Sequence, residues 1–510
     1  MSTVSAVAPS RPRPVVTTAT VTVVGLVVVA AVLRFATLDQ QSYWYDEAVT
    51  VHLVRDSFGA MLRRIPQTES TPPLYYAVAW VWSRVFGNAE VGLRSLSALA
   101  GTATVPLVYL SGRRLGGQLA GVVAGGLAAV SPFLIWYSQE ARAYALVALL
   151  CAASLILYLR AREQPSTGRL AAWAVVSAAA LATHYFAVFV VGAELMLLVA
   201  GAAGRARLRM LVAGACLVPV GAALLPIALD QRGSGRTDWV ARIPLPDRIG
   251  QVPLQFLAGL GEGLAPEIGV AFGLAVAAGV VVLLLRLAPP LRGEAARVLA
   301  IGAAGVVVPL ALAAVGADEL LSRNAIVAVP ALIVGIAAVV AAPVNRRLGV
   351  PAAGVAAALG IAGTVAVVAD TGLQRPDWRA AARLIGDSGK VRALIAPGGY
   401  RALPLEVYLR RADAFPHGSH AVPQIVELGT RGGPGACWWG AVCDLPTRVA
   451  PRTPPLPGYA LTGQGRAGRF SVSRFTPTHP GRVSAQQLGL SPSVRGHLLV
   501  LVDPVEAEDR

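Results

Sequence analysis

Apolar residues run through this sequence in blocks longer than a globular core uses. A bilayer is crossed by about 20 apolar residues. On that measure spans fall at 15–35, 93–110, 119–136, 141–159, 170–183, 186–203, 210–229, 268–285, 298–315, 326–342 and 348–369, about eleven in all. The fifth and sixth share one run broken only at "THYF". No small-residue cleavage site follows the first run, so it reads as an uncleaved anchor and not as a signal peptide. The stretch 73–86, "PLYYAVAWVWSRVF", is aromatic-rich and short for a span, and reads as an amphipathic helix lying at the interface.

After Asp370 the pattern changes. "RPDWRAAARLIGDSGKVRALIAP" predicts a helix, a glycine turn and a buried strand; "LPLEVYLRRAD" predicts a second helix and "RGHLLVLVD" a second strand. The expected architecture is a polytopic α-helical membrane domain over 15–369, preceded by a short tail (1–14) and followed by a small α/β domain over 370–510. No heptads or fixed-period repeats are visible.

Arginine placement orients the chain, because short basic loops stay in the cytoplasm. With the N-terminus inside, the inner turns carry Arg11 and Arg13, Arg113 and Arg114, Arg160 and Arg162, Arg205 to Arg209, Arg286 to Arg297, and Arg346 and Arg347. The C-terminal domain is then extracytoplasmic. So are the loops 36–91 and 230–267 and the clusters "WYDE", "TESTPPLYY", "WYSQEARAY", "HYF" and "DELLSRN".

Composition agrees. The chain is 55% hydrophobic and 14% charged, against about 25% charged in soluble proteins, and its mean hydropathy is +0.60. The net charge of +16 is almost all arginine, Lys390 being the only lysine; no stripe of arginines and aromatics accompanies it, so nucleic acid is not an expected partner. Cys151 and Cys216 lie in apolar runs and read as small core residues. Cys437 and Cys443, in "CWWGAVC", are candidates for a short-loop disulfide if that region lies outside the cytoplasm.

The outer clusters hold the chemistry. Asp46 and Glu47 follow an aromatic run and precede "AVTVHLV"; they suit a helix N-terminus, and an ionisable pair at the mouth of a membrane bundle also marks a functional site. Glu140, Arg142 and Tyr144 follow an interfacial Trp136/Tyr137 pair. They read either as a local Glu140–Arg142 pair beside an aromatic belt, or as an arginine presented to an anionic group, since guanidinium matches phosphate. His184 stands at the outer end of a span, and Arg323 begins another. A carboxylate can take a proton from a hydroxyl nucleophile and fixed cations can stabilise a phosphate leaving group; since phosphate leaves without being protonated, one carboxylate suffices.

"WYDEA", "TPPLYY", "LRSLSALAG", "SPFLIWYSQEARAYAL" and "THYF" occur in that order in the first two hundred or so residues, and "DWRAAAR" follows the last span. In these the chain resembles the membrane-integral glycosyltransferases of GT-C fold, and most closely the bacterial protein-mannosyltransferase-like group (glycosyltransferase family 39) that includes aminoarabinose lipid A transferases. The resemblance implies a polyprenyl-phosphate sugar donor, transfer with inversion to an extracytoplasmic glycan, lipid or protein, and a multi-pass enzyme of the cell membrane. It implies Asp46 as catalytic base with Glu47 beside it, and a donor pocket lined by Tyr45, Tyr75, Glu140, Arg142, Tyr144, His184, Tyr185 and Arg323. Thr71 stands where some relatives carry lysine before "PPL", so Arg142 or Arg323 takes over any phosphate contact there. Glu69 is a second carboxylate for acceptor or divalent cation; no cofactor is required. The competing readings are a transporter or flippase of lipid-linked sugar, against which the clean spans and absent repeats weigh, and a non-catalytic scaffold of the cell envelope.

Overall fold

The computed structural model describes residues 18–258, 265–386, 392–397, 403–409, 413–414, 418–431, 449–484, 486–488 and 498–502. Helix α1 (Thr18–Phe35) enters the bundle, and three short helices follow: α2 (Tyr45–Arg55), α3 (Phe58–Thr68) and α4 (Leu74–Phe86). At 1.5 Å per residue, α4's 13 residues reach only about 20 Å, too short to cross. It buries Tyr75, Tyr76, Ala79 and Ser83 and leaves Val81, Val85 and Phe86 exposed, the two-sided pattern of a helix lying at an interface.

Helix α5 (Glu90–Val130) is folded in two. Gly116 and Gly117 leave helical values, and Gly117 takes a φ of 83°, which favours glycine. The Tyr109 hydroxyl donates to Gln118 Oε1 (3.1 Å) across this hairpin. Then come α6 (Pro132–Ser138), α7 (Tyr144–Glu163), α8 (Thr167–Thr183), α9 (Ala187–Ala200), α10 (Gly204–Ala215), α11 (Val218–Gly233), α12 (Leu245–Pro253), α13 (Pro266–Leu285), α14 (Pro289–Ala314), α15 (Val329–Val340) and α16 (Arg346–Ala369). Among the described residues six helices are long and apolar enough to cross a membrane, and four shorter apolar ones accompany them. The run at 210–229 is broken between α10 and α11, where Pro219 enters the first turn of α11 without an N–H to continue the ladder. Cys216, at that break, is exposed on the outside of the bundle and is not the core residue expected; Cys151 is buried. Helices α13 and α16 bury 6% and 11% of their most apolar windows, so their valines and leucines face outward as in hydrocarbon.

The basic turns gather at one end. Arg114 pairs with Glu163, and Glu294 takes both Arg162 (2.9 Å) and Arg297 (2.6 Å). From Arg94 to Arg114 the first half of α5 climbs about 30 Å, so these turns and the α2–α4 layer sit at opposite ends.

Beyond α16, helices α17 (Trp378–Ile385) and α18 (Leu403–Tyr408) flank a sheet of β1 (Ala393–Pro397), β2 (Asp413–Ala414), β4 (Ile425–Thr430), β5 (Tyr459–Ala467), β6 (Phe470–Pro477) and β8 (Leu498–Val502), in the order β2-β8-β1-β4-β6-β5. Strand β1 runs parallel to β4 and antiparallel to β8; β3 (Ser419–Ala421) and β7 (Arg482–Ser484) form a separate pair. Trp378, Ala381 and Leu405 pack on Leu394, Val426, Leu428 and Phe470. The helices and strands expected after Asp370 are in place; Cys437 and Cys443 lie outside the described residues. The chain is a multi-pass helical membrane protein with a small C-terminal α/β unit.

Candidate active site

The site begins at the first turn of α2. Trp44, extended at φ −102° and ψ −179°, is the N-cap, and Asp46 and Glu47 both fall in the first turn. Asp46 is thus a first-turn acid and not the cap, favoured there by the helix dipole. Adjacent residues on a helix point about 100° apart, so the two carboxylates go different ways.

Glu47 goes inward. It is fully buried and receives Arg94 through both oxygens, from Nε (2.7 Å) and Nη2 (2.6 Å). Its Oε1 also accepts the Ala141 N–H (2.8 Å). Arg94 spends its remaining donors on the carbonyls of Leu38 (2.8 Å), Gln41 (2.6 Å) and Ser42 (3.1 Å). Burial alone would raise the Glu47 carboxyl, yet Arg94 at hydrogen-bond range wins and holds it below the usual range. Both oxygens of Glu47, expected beside the catalytic base, are thus engaged by Arg94 and one of them also by the Ala141 N–H, which ties down the loop that carries Asp46.

Asp46 goes toward the bundle rim. Its Oδ2 lies 3.3 Å from Arg323 Nη1, and the Arg323 guanidinium lies 5.6 Å from the Trp239 ring. The Asp46 carbonyl accepts from Arg142 Nη1 (3.3 Å). Arg142 belongs to the turn Glu140–Ala143 between α6 and α7, closed by its own N–H on the Glu140 carbonyl (2.8 Å). The local Glu140–Arg142 pair does not form. Arg142 Nη1 reaches Glu69 Oε1 (2.7 Å), and Glu140 accepts from Trp136 Nε1 (3.1 Å) and pairs with Arg375. Burial pushes the Glu140 carboxyl up to about 7, with Arg375 opposing. Glu69, expected to meet an acceptor or a cation, is instead the partner of Arg142.

Tyr144 lies between Tyr137 (4.9 Å between ring centres) and His184 (5.9 Å). His184, at the turn after α8, accepts the Phe186 N–H on Nδ1 (3.2 Å), which leaves the ring proton on Nε2. Burial first, then Arg142 and Arg323, push its pKa down to about 3, so the ring is neutral. Tyr45 and Tyr75 belong to the apolar cluster of α2, α3 and α4 beneath the site. Tyr185 turns away, donating to Gln231 Oε1 (2.9 Å), while Gln231 donates to the Thr71 carbonyl (3.1 Å). The expected residues thus separate: Asp46, Arg142, Tyr144, His184 and Arg323 converge; Glu47, Glu69 and Glu140 hold arginines; Tyr185 belongs to the next layer.

Sequence reasoning missed Arg94, Arg375 and Trp239. A signal existed for Arg94, a charge within the apolar run "LRSLSALAG"; the other two became visible only by contact. The result is a ledger of four pairs: Asp46–Arg323, Glu47–Arg94, Glu69–Arg142 and Glu140–Arg375. Asp46–Arg323 has the longest contact of the four and the most exposed side chains. Buried Nε atoms of Arg142 and Arg323 also carry no hydrogen bond among the described residues. Such a rim can receive an anion: it has two guanidiniums with spare donors and one loosely held carboxylate. Among the described residues no three His, Cys, Asp or Glu side chains group as a metal site would require.

Residues 70–228 match the family of dolichyl-phosphate-mannose-protein mannosyltransferases. Asp46 precedes the matched segment; Arg142 and His184 lie within it. No curated protein matches the chain by sequence. Among solved structures the chain is similar to ArnT from Cupriavidus metallidurans in the apo state, at 19% identity over 76% of this chain and 85% of that one, with a TM-score of 0.41. It is similar to the same protein bound to undecaprenyl phosphate, at 19% over 75% and 84% and a TM-score of 0.38. It is also similar to the apo oligosaccharyltransferase of Archaeoglobus fulgidus, at 12% over 73% and 58% and a TM-score of 0.45. The segment that matches the mannosyltransferase family carries "TPPLYY", "LRSLSALAG", "SPFLIWYSQEARAYAL" and "THYF", the stretches in which the chain is similar to that family.

Proposed function

We propose that the chain moves a sugar, mannose-like or pentose, from a polyprenyl-phosphate donor to an extracytoplasmic glycan, lipid or protein, with inversion and with Asp46 as general base. The observation that carries this reading is the Asp46–Arg323 pair, 3.3 Å apart, at a rim where Arg142 and Arg323 keep buried unpaired donors. A donor phosphate sliding in from the lipid draws Arg323 and Arg142 through their free N–H groups and loosens Arg323 from Asp46. The freed carboxylate accepts the proton of the acceptor hydroxyl. That oxygen bonds to the anomeric carbon as the carbon–oxygen bond to phosphate breaks, and polyprenyl phosphate leaves unprotonated, its charge met by the two guanidiniums. Neutral His184 and Tyr144 line the same rim and supply polar contacts to the sugar without adding charge. No cofactor is required; the site's other carboxylates are already bound by arginines, so no step is routed through a cation.

In the cell membrane this reading sets the N-terminus in the cytoplasm and the C-terminal unit outside, over 370–510, beyond the transferase bundle of 15–369. The test is incubation of the full chain with labelled polyprenyl-phosphate mannose and polyprenyl-phosphate pentose, followed by identification of the labelled product. Asp46→Asn should cut turnover by about 10²- to 10⁴-fold while leaving the chain folded. Undiminished transfer by Asp46→Asn refutes Asp46 as the base.

A further inference from the structure

The segment between α16 and α17 reaches into the transferase site. The Gln40 side chain donates to the Val368 carbonyl (2.6 Å), and the Arg375 N–H donates to Gln41 Oε1 (3.0 Å). Ser42 Oγ donates to the Pro376 carbonyl (3.0 Å) and accepts from the Trp378 N–H (2.9 Å). The segment is thus tied, residue by residue, to the loop that leads into Asp46. Behind it the C-terminal unit is held by the same loop and by α5: Tyr408 Oη donates to Glu90 (2.6 Å) and accepts the Tyr43 N–H (2.6 Å), and Arg379 lies 3.5 Å from Glu90.

Arg375 is what this connection delivers. Its guanidinium lies 4.2 Å from the Trp136 ring and 5.4 Å from the Trp44 ring, one indole from α6 and the other from the N-cap of α2. Its charge meets Glu140, and both side chains are 2% exposed. Glu140 opens the turn Glu140–Ala143, and each residue of that turn with a role in the site depends on its shape. The Ala141 N–H fixes Glu47; Arg142 reaches the Asp46 carbonyl and Glu69. Among the described residues Arg375 makes no hydrogen bond or ion pair with these groups, though its charge also reaches Glu47. From α2, Asp46 and Glu47 also act on the Glu140 charge, and from the segment before α15 so does Arg323.

We propose that Arg375 is a positioning residue of the transferase: by neutralising Glu140 between two indoles it holds the Glu140–Ala143 turn in the form that aims Arg142 and orients Asp46. The C-terminal segment is then part of the catalytic assembly. Without Arg375, a buried carboxylate faces Asp46 and Glu47 with only Arg323, which touches Asp46, to offset them, and the turn must shift to reach another donor or take up a proton. Either displaces Arg142, and a displacement on the order of 1 Å costs about a hundredfold in rate.

This inference rests on the transferase reading, and the experiment separates the two. Full-length wild type, Arg375→Gln, Arg375→Lys, Glu140→Gln and the double variant Arg375→Gln/Glu140→Gln are assayed in liposomes with labelled polyprenyl-phosphate mannose and polyprenyl-phosphate pentose. Unfolding midpoints are measured on the same samples with and without undecaprenyl phosphate. Arg375→Gln should lower kcat about a hundredfold with the donor KM changed less than about threefold. The double variant should recover at least about tenfold of that loss, because the carboxylate that needed Arg375 is gone. Arg375→Lys should fall between wild type and Arg375→Gln. Unchanged kcat in Arg375→Gln, a double variant no better than the single, or a raised donor KM at constant kcat overturns the proposal, the last because it makes Arg375 a substrate contact. A wild type that neither transfers sugar nor is stabilised by undecaprenyl phosphate refutes the transferase reading instead. The unfolding midpoints then decide the Arg375–Glu140 coupling: a double variant more stable than Arg375→Gln supports it, and additive losses overturn it.

Discussion

Glu47→Gln separates the two adjacent carboxylates of "WYDEA" by what each does. The side chain keeps its size and loses its charge. Arg94, 1% exposed, then faces an amide instead of a carboxylate. Two charge-assisted contacts of 2.7 and 2.6 Å are weakened, and one amide N–H points at guanidinium N–H. Breaking one side of a buried pair costs about 3–5 kcal/mol, because the remaining charge stays buried without its partner. A solvent-exposed pair such as Arg64–Asp56, at 2.7 Å, is worth at most about 1 kcal/mol. Against a typical total of about 5–15 kcal/mol, Glu47→Gln removes about a fifth of the stability or more. The assay is equilibrium unfolding of the full chain in nanodiscs, Glu47→Gln against Asp56→Asn. Replacing the pair by apolar residues, Glu47→Leu with Arg94→Met, removes the unpaired buried charge but leaves the Ala141 N–H and the carbonyls of Leu38, Gln41 and Ser42 without partners, so it should return only part of the loss. The sign with pH is fixed as well. The folded carboxyl lies below its usual range, so its contribution is present above about pH 4.3 and is lost on acidification below that. A loss under about 1 kcal/mol combined with abolished transfer would refute the anchoring role and return Glu47 to the chemistry.

Gly101→Ala should destabilise the corner of α1, α5 and α6 by about 1–3 kcal/mol, since the new methyl would lie 1.9 Å from Ser138 Oγ and 3.0 Å from Arg34 Nε; an unchanged unfolding midpoint contradicts the packing. His184 titrates near 3 in the fold and near 6.5 when unfolded. The unfolded chain therefore binds the extra proton, and stability falls as pH drops from about 6.5 toward 3, by up to about 1.4 kcal/mol per unit. His184→Asn should flatten that slope, and an identical slope would show that His184 charges within the fold. Single cysteines at Ser57 and Gly293, in a chain freed of native cysteines, should react with an impermeant maleimide from opposite sides of the membrane, Ser57 from outside; labelling of both from one side would sink the orientation.

Much of the fold was legible because membrane burial imposes length. Among the described residues each apolar run read from the sequence is mainly helical, and the short aromatic stretch at 73–86 became α4 for want of residues to cross. The turn read between the runs at 93–110 and 119–136 falls at Gly117, whereas the break at Pro219 inside the run 210–229 followed local chemistry that the apolar count ignores. Cys216 was misjudged because an apolar run in a membrane has two apolar sides, and only packing decides which faces protein.

The site was half legible, for a reason rooted in dielectric. At a buried rim each charge must find an opposite one, and partners are chosen by space: Arg94 lies 47 positions from Glu47 and Arg375 lies 235 from Glu140. Reading neighbours in the chain as neighbours in function therefore paired Asp46 with Glu47 and Glu140 with Arg142, and both pairs came apart. What the sequence offered was a set of outer clusters holding Asp46, Glu47, Glu69, Glu140, Arg142 and Arg323; Arg94 and Arg375, which complete two of the four pairs, joined them only through the fold. Three of those pairs are closed at 2.7 Å or less. The fourth, Asp46–Arg323 at 3.3 Å, is the least committed, and on the proposed reading an incoming phosphate would take its cation there and free the Asp46 carboxylate beside the sugar.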